Sequence, residues 1–337
     1  MSLLLESRRD TAAAANLRCL AADIGGTNAR FATAALGEND RVRLGAQRNL
    51  KVAEHDGIES ALDAYFAVSG EPVPESAVLA VAGAVLDDQV ILTNSRWSFS
   101  IRALKKRIGF RELQVINDFA AVAWAVPGLG EADLHPIGDA PGAAFDTAAV
   151  QVVLGPGTGL GAAAIRRDAR GLAVLETEGG HASFAPHDER EIFILRFLQR
   201  RYGRVSYERL LCGEGLVNLH DACVHMARGR EVRLHDSAAV VAAARSGDPD
   251  ARSAIDLFCS ILGRFAGDTV LLYGGWAGVY LAGGLLPHVL DERGEALFRA
   301  AFIDKGRFSP LLARTPTFRI DRADVGTLGA ARVGLLG

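Results

Sequence analysis

Residues 19–35, CLAADIGGTNARFATAA, decide the fold. The apolar run Cys19–Ala22 feeds the turn-forming Asp23-Ile-Gly-Gly-Thr-Asn-Ala-Arg30, and an extended pattern resumes from Phe31 to Ala35, so the segment reads as strand, tight turn, strand. The same arrangement returns later. Val150–Leu154 runs into Gly155-Pro-Gly-Thr-Gly-Leu-Gly161, after which Ala162–Ile165 again has strand character. Two such hairpins point to two related halves, although no fixed-period repeat is visible.

Between the hairpins, Ala77–Val85 and Gln114–Ile116 read as buried strands, and Ser100 caps a short helix that Gly109 stops. Helical spacing governs Ile192, Leu195, Leu198 and Tyr202 before Gly203, and again Ile255, Phe258, Leu262 and Phe265. Helix and strand alternate, which predicts an α/β class. The Pro- and Gly-bearing segment Glu131–Asp146 marks a loop or domain boundary. Thr269–Pro287 carries no charge, yet its glycines divide it into a helix end, a turn, a strand over Val279–Ala282 and a second turn, so it belongs to a core and not a bilayer.

With 337 residues the chain has room for about two domains. Its 37 Lys+Arg against 40 Asp+Glu give a net charge of −3, without the basic excess of a nucleic-acid binder. Cys19, Cys212, Cys223 and Cys259 are too scattered for a disulfide framework or a paired-cysteine metal site, and read as reduced core residues of a cytoplasmic protein. The N-terminal stretch lacks the uninterrupted apolar region of a secretory signal.

Glycine turns free backbone torsions and bring amide N–H groups close to an anion, so Gly25, Gly26 and the Thr27 hydroxyl can cradle phosphate. Asp23 would then hold Mg²⁺ through its hydration shell; a plain hairpin with Asp23 as turn former is the alternative. The second loop strengthens the phosphate reading. It also matches a dinucleotide fingerprint with Glu176 or Glu178 downstream, but that fingerprint requires a helix where Ala162–Ile165 reads as strand. No Walker lysine follows either loop, since the lysines are Lys51, Lys105, Lys106 and Lys305.

In Val115-Ile-Asn-Asp-Phe119 a buried strand ends in Asn117 and Asp118, where open α/β sheets bind ligands and a carboxylate can take a proton from a hydroxyl. An Asn-Asp helix cap explains the same residues equally well. Glu178-Gly-Gly-His181 places a carboxylate and an imidazole around two glycines expected to expose backbone toward a ligand, a set suited to vicinal hydroxyls, although a lone histidine is usually structural. Glu208 reads locally as a first-turn carboxylate of a helix capped by Ser206.

Taken in order, these elements resemble the bacterial glucokinase family. The resemblance rests on DIGGTNAR (23–30), LTNSRWSFS (92–100), INDFAAVA (116–123), GPGTGLG (155–161), EGGH (178–181), VSYERLLCGEGLVNL (205–219), LAGG (281–284) and DKGRF (304–308), and covers the chain from about Cys19. It implies a two-domain actin-like, ribonuclease-H-like sugar kinase fold with an interdomain cleft, residues 1–128 plus about 318–337 forming the smaller domain and about 129–317 the larger. It also implies an ATP- and Mg²⁺-dependent enzyme making glucose 6-phosphate as a homodimer, with neither nucleic acid nor membrane as partner.

Within the resemblance, Asp118 is the catalytic base, and Asn117, Glu178, His181 and Glu208 bind the other sugar hydroxyls. Gly25, Gly26, Thr27 and Asn28 with Gly157, Thr158 and Gly159 hold phosphates, Gly283 and Gly284 lie against the adenosine, and Asp23 reaches the metal through water. Ala84, Ser183 and Glu214 depart from the family pattern. A sugar-sensing regulator on the same fold, or a kinase of another hexose, is the alternative; the intact Asp118 speaks against the regulator.

Overall fold

The structure is a computed structural model that describes residues 18–38, 41–93, 95–139, 150–168, 171–230 and 233–337. The N-terminal extension, Asn94 of the LTNSRWSFS motif, the end of the 131–146 loop and part of the polar turn after Ile165 lie outside the described residues. Two compact units emerge, one running to Leu129 and completed by Arg322–Gly337, the other Gly130–Asp321.

In the first unit, β1 (Arg18–Ile24) and β2 (Asn28–Leu36) form the hairpin expected from the opening motif, and β3 (Val42–Lys51) extends it. β4 (Ser76–Val81) and β8 (Glu112–Asn117) join in parallel, giving the order β3-β2-β1-β4-β8. Successive residues of a strand face opposite ways. Leu20, Ala22 and Ile24 therefore pack with α1 (Ile58–Ser69) and with Leu104 of α2 (Ile101–Ile108). Cys19 and Ala21 face α3 (Asp118–Ala125) and the C-terminal α11 (Val325–Leu336). Asp23 is the next residue on that second face.

α2 has the predicted ends: the Ser100 hydroxyl accepts from the Ala103 N–H, and Gly109 closes the helix with φ of 92°. The expected strand Ala77–Val85 is two pieces. β4 stops at Val81, and β5 (Gly83–Leu86) belongs to a separate sheet with β6 (Gln89–Leu92) and β7 (Ser98–Ser100), largely exposed on β5. Gly83 makes that departure possible, because a Cβ there would lie 2.3 Å from the Ile91 carbonyl oxygen.

The second unit repeats the plan. β10 (Gln151–Pro156), β11 (Leu160–Asp168) and β12 (Gly171–Thr177) are antiparallel; β13 (Val279–Leu281) and β14 (Thr317–Ile320) follow in parallel, and the short β9 (Leu134–Pro136) caps the edge. Both sheets thus run antiparallel through three strands and parallel through the next two, the relationship the paired hairpins foretold.

Its core gathers side chains from α4 (Glu189–Tyr202), α5 (Gly213–Arg228), α6 (Ser237–Arg245), α7 (Pro249–Tyr273), α8 (Leu286–Val289), α9 (Glu292–Ile303) and α10 (Ser309–Arg314). Within the uncharged window, α7 ends at Gly274 in the left-handed region and β13 follows. No helix among the described residues is long and apolar enough to cross a membrane. All four cysteines are buried and free.

Candidate active site

In the first unit the register aligns the carboxyl ends of three parallel strands. Ile24 pairs with Val81, and Val81 with Asn117, so the β1–β2 turn and the start of α3 share one sheet edge two strand spacings apart, about 10 Å. Within the turn, Gly25 N–H donates to the Asn28 carbonyl at 2.9 Å, and the Thr27 carbonyl accepts from Val52 N–H at 3.0 Å. These bonds leave the amides of Gly26 and Thr27 unused. The Asn28 side-chain oxygen accepts from Lys51 Nζ at 2.9 Å, which takes its acceptor and leaves its amide NH₂.

Asp23 lies beside this turn with Arg30 at 3.5 Å. Burial pushes its carboxyl above the usual range, and the Arg30 charge and hydrogen bond oppose that shift. The first turn of α11 abuts it, since a Cβ on Gly326 would come 2.8 Å from the Asp23 carboxyl carbon. A carboxylate at a helix N-terminus meets the positive end of the helix dipole.

At the end of β8, Asn117 is the N-cap of α3, its side-chain oxygen accepting from Phe119 N–H at 2.8 Å and Ala120 N–H at 3.1 Å. Capping takes the acceptor and leaves the amide NH₂ for a ligand. Asp118 is the first helical residue, its Oδ1 accepting from Phe119 N–H at 2.8 Å. α3 is in turn held by α11: a Cβ on Gly329 would lie 1.6 Å from the Ala121 carbonyl oxygen.

In the second unit the β10–β11 hairpin, the 3₁₀ turn Gly179–His181, the 3₁₀ turn Tyr207–Arg209 and the start of α5 meet. Gly157 N–H donates to the Gly159 carbonyl at 2.8 Å, and the Gly157 carbonyl accepts from Gly213 N–H, at the beginning of α5, at 2.9 Å. Leu160 N–H donates to Glu208 Oε2 at 3.0 Å. The loop amides of Thr158 and Gly159 remain for an anion. His181 sits between two carboxylates, Nε2 at 3.8 Å from Glu178 Oε2 and Nδ1 at 3.8 Å from Glu208 Oε1. The His181 carbonyl accepts from the Arg204 guanidinium at 2.6 Å.

The matching model of the glucokinase family spans residues 20–335. This chain belongs to the glucokinase family. A glucokinase of Chromohalobacter salexigens is 43% identical over 311 residues, covering 92% of this chain and 95% of that one. A crystal structure of glucokinase from an Antarctic psychrotroph superposes with a TM-score of 0.84 at 33% identity, covering 94% of this chain and 98% of the other. At 22% identity, a Balamuthia mandrillaris glucokinase crystallised with glucose shares the fold, with a TM-score of 0.77 over 94% of this chain and 93% of its own. The architecture is thus the actin-like sugar kinase fold.

Against that family background, several local expectations change. Gly25, Gly157 and Gly159 do not take positive φ. At Gly159 the constraint is space, a Cβ there lying 2.6 Å from Glu208 Oε2. The two glycines of EGGH are also demanded by packing: a Cβ on Gly180 would lie 2.1 Å from the Leu160 carbonyl oxygen, and one on Gly179 3.1 Å from the Ala162 Cβ. Gly283, with φ of 149°, is pressed onto the Pro156 carbonyl, its Cβ position 2.3 Å away, whereas Gly284 opens to space. Glu208 occupies a 3₁₀ turn, and Ser206 makes no side-chain cap. The dinucleotide alternative fails because β11, not a helix, follows the second loop.

Local reading missed the Leu160 amide, the Gly213 amide and Arg204. Only the glycines of Cys212-Gly-Glu-Gly215 hint at the second; the other two bonds join residues far apart in sequence. Of the departures, Glu214 is engaged by Arg233 at 3.2 Å and by the Tyr202 hydroxyl at 3.1 Å, and the Ser183 hydroxyl lies 3.4 Å from Arg204.

Proposed function

We propose that this chain is an ATP-dependent glucokinase in which Asp118 is the general base. Asp118 accepts the proton of the sugar 6-hydroxyl as that oxygen attacks the γ-phosphorus, giving glucose 6-phosphate and ADP. The observation that carries this reading is the placement of Asp118 at the carboxyl end of a parallel strand, on the same edge as the open amides of Gly26 and Thr27. Phosphoryl transfer needs positioning and charge stabilisation more than covalent participation.

Asn117, Glu178, His181 and Glu208 orient the remaining sugar hydroxyls. The carboxylates accept O–H bonds, the Asn117 NH₂ donates, and His181 can do either. The phosphates are held by the amides of Gly26 and Thr27, in the turn that the Gly25 N–H closes, and by the amides of Thr158 and Gly159. Gly284 gives the adenosine room, and Gly283 shapes the turn that carries it.

Among the described residues no three metal-ligating side chains cluster. That donor set fits Mg²⁺ arriving with the nucleotide, because this ion binds through one or two carboxylates plus phosphates and keeps several waters. Asp23 would hold it through water, and bound there it neutralises charge on the transferring phosphates.

A coupled assay on the purified chain tests the proposal. ADP release should require glucose and ATP together. Glucose binding without turnover would assign the chain as a sugar sensor, and faster turnover of another hexose would reassign the substrate.

A further inference from the structure

We infer that Glu208 joins the sugar subsite to the phosphate loop, one carboxylate oxygen serving each. Resting on the kinase reading above, this makes Glu208 a positioning residue for the nucleotide as well as a sugar ligand. Its Oε1 is the oxygen nearer the His181 ring, at 3.8 Å. Its Oε2 accepts the Leu160 N–H at 3.0 Å, at the point where the loop returns into β11.

The connection is short and tightly packed. The Leu160 carbonyl fills the space where Gly180 has no side chain, so the same residue that Glu208 fastens also backs the EGGH turn. On the other side, the loop is closed on itself by Gly157 N–H to the Gly159 carbonyl and tied to α5 through Gly213. The amides left for phosphate, those of Thr158 and Gly159, immediately precede the amide that Glu208 holds. A hydrogen bond to a charged acceptor is among the stronger kinds, and a displaced carboxylate would release Leu160 and move the amides that precede it.

The geometry makes the link testable from the nucleotide side. A Cβ on Gly159 would stand 2.6 Å from Glu208 Oε2, a flexible side-chain end that yields, while the backbone at position 159 accepts alanine because its φ is not positive. Gly159→Ala should therefore push the carboxylate out of place and weaken glucose binding about tenfold with no nucleotide present, although position 159 lies in the phosphate loop. In a Glu208→Ala background the same substitution should change glucose affinity less than about twofold, because the group it displaces is gone.

The reverse coupling is read with ADP as probe and no sugar. Glu208→Ala should weaken ADP several-fold. Glu208→Gln, which retains an acceptor for Leu160 N–H, should restore ADP affinity while glucose binding stays weak. Calorimetry supplies the glucose and ADP constants, and circular dichroism verifies folding; if Gly159→Ala does not fold, the Glu208→Ala and Glu208→Gln comparison decides alone.

Unchanged glucose affinity in folded Gly159→Ala would overturn the coupling, as would an undiminished effect in the Glu208→Ala background or equal ADP affinity in all Glu208 variants. In each of those cases the parent still binds glucose and turns over, so the kinase reading survives. A parent chain that binds no glucose overturns both.

Discussion

Gly329→Ala should damage the enzyme from the back of its site. The new Cβ would stand 1.6 Å from the Ala121 carbonyl oxygen, where a carbon–oxygen contact ordinarily needs about 3.3–3.6 Å. Helices α3 and α11 must therefore separate by nearly 2 Å on that contact distance, or one must bend. Overpacking of this kind costs roughly 1–3 kcal/mol, and the backbone nature of both partners places the cost at about 3 kcal/mol. For a unit of this size that lowers Tm by roughly 6–12 °C.

Ala121 lies one turn beyond Asp118 in α3, so the displacement reaches the carboxylate. A shift of about 1 Å in a reacting group costs on the order of 10²-fold in rate. Thermal melting followed by circular dichroism, and ADP release measured well below the variant's Tm, check the two parts. A Gly329→Ala chain with parental Tm, or a destabilised one with full kcat when folded, would refute the idea that this helix contact sets the position of Asp118.

Other perturbations separate the roles of neighbouring groups. Gly283→Ala should lower Tm, because its φ of 149° and the Pro156 carbonyl 2.3 Å away both exclude a side chain, whereas Gly284→Ala should keep Tm and raise the KM for ATP. Identical behaviour of the two would contradict that division. Glu178→Gln should raise the glucose KM by about tenfold with a small change in kcat, since a group that only accepts gains donors; an unchanged KM would place Glu178 outside the pocket. The four thiols should resist Ellman's reagent in the native chain and all react in denaturant, because they are buried and burial pushes Cys19 up to about 12. Rapid native labelling would count against that burial.

Features with a local chemical cause could be read from the chain alone. The Asp23 hairpin, the Ser100 cap, the Gly109 stop and the long α7 each follow from neighbours a few residues away. The site was legible as motifs, yet the reasons for its glycines were not. Gly329 answers to Ala121, Gly180 to Leu160 and Gly283 to Pro156. No spacing rule reveals such pairs: room for another backbone is the constraint at Gly329 and Gly180, and it adds to a positive φ at Gly283. Asn117 shows a second limit: capping a helix and binding a sugar ask for the same residue type, and the structure assigns its oxygen to the cap. In DKGRF, Lys305 is used to pair Asp268 at 2.6 Å, a structural role inside the second unit.

The measurement that bears most directly on the chemistry is turnover by Asp118→Asn, with glucose affinity measured alongside. If Asp118 removes the proton from the 6-hydroxyl, kcat should fall by about 10²–10⁴-fold while the glucose dissociation constant stays within a few-fold of the parent. A variant that binds glucose normally and retains parental kcat would show that another group, or no group, does that work.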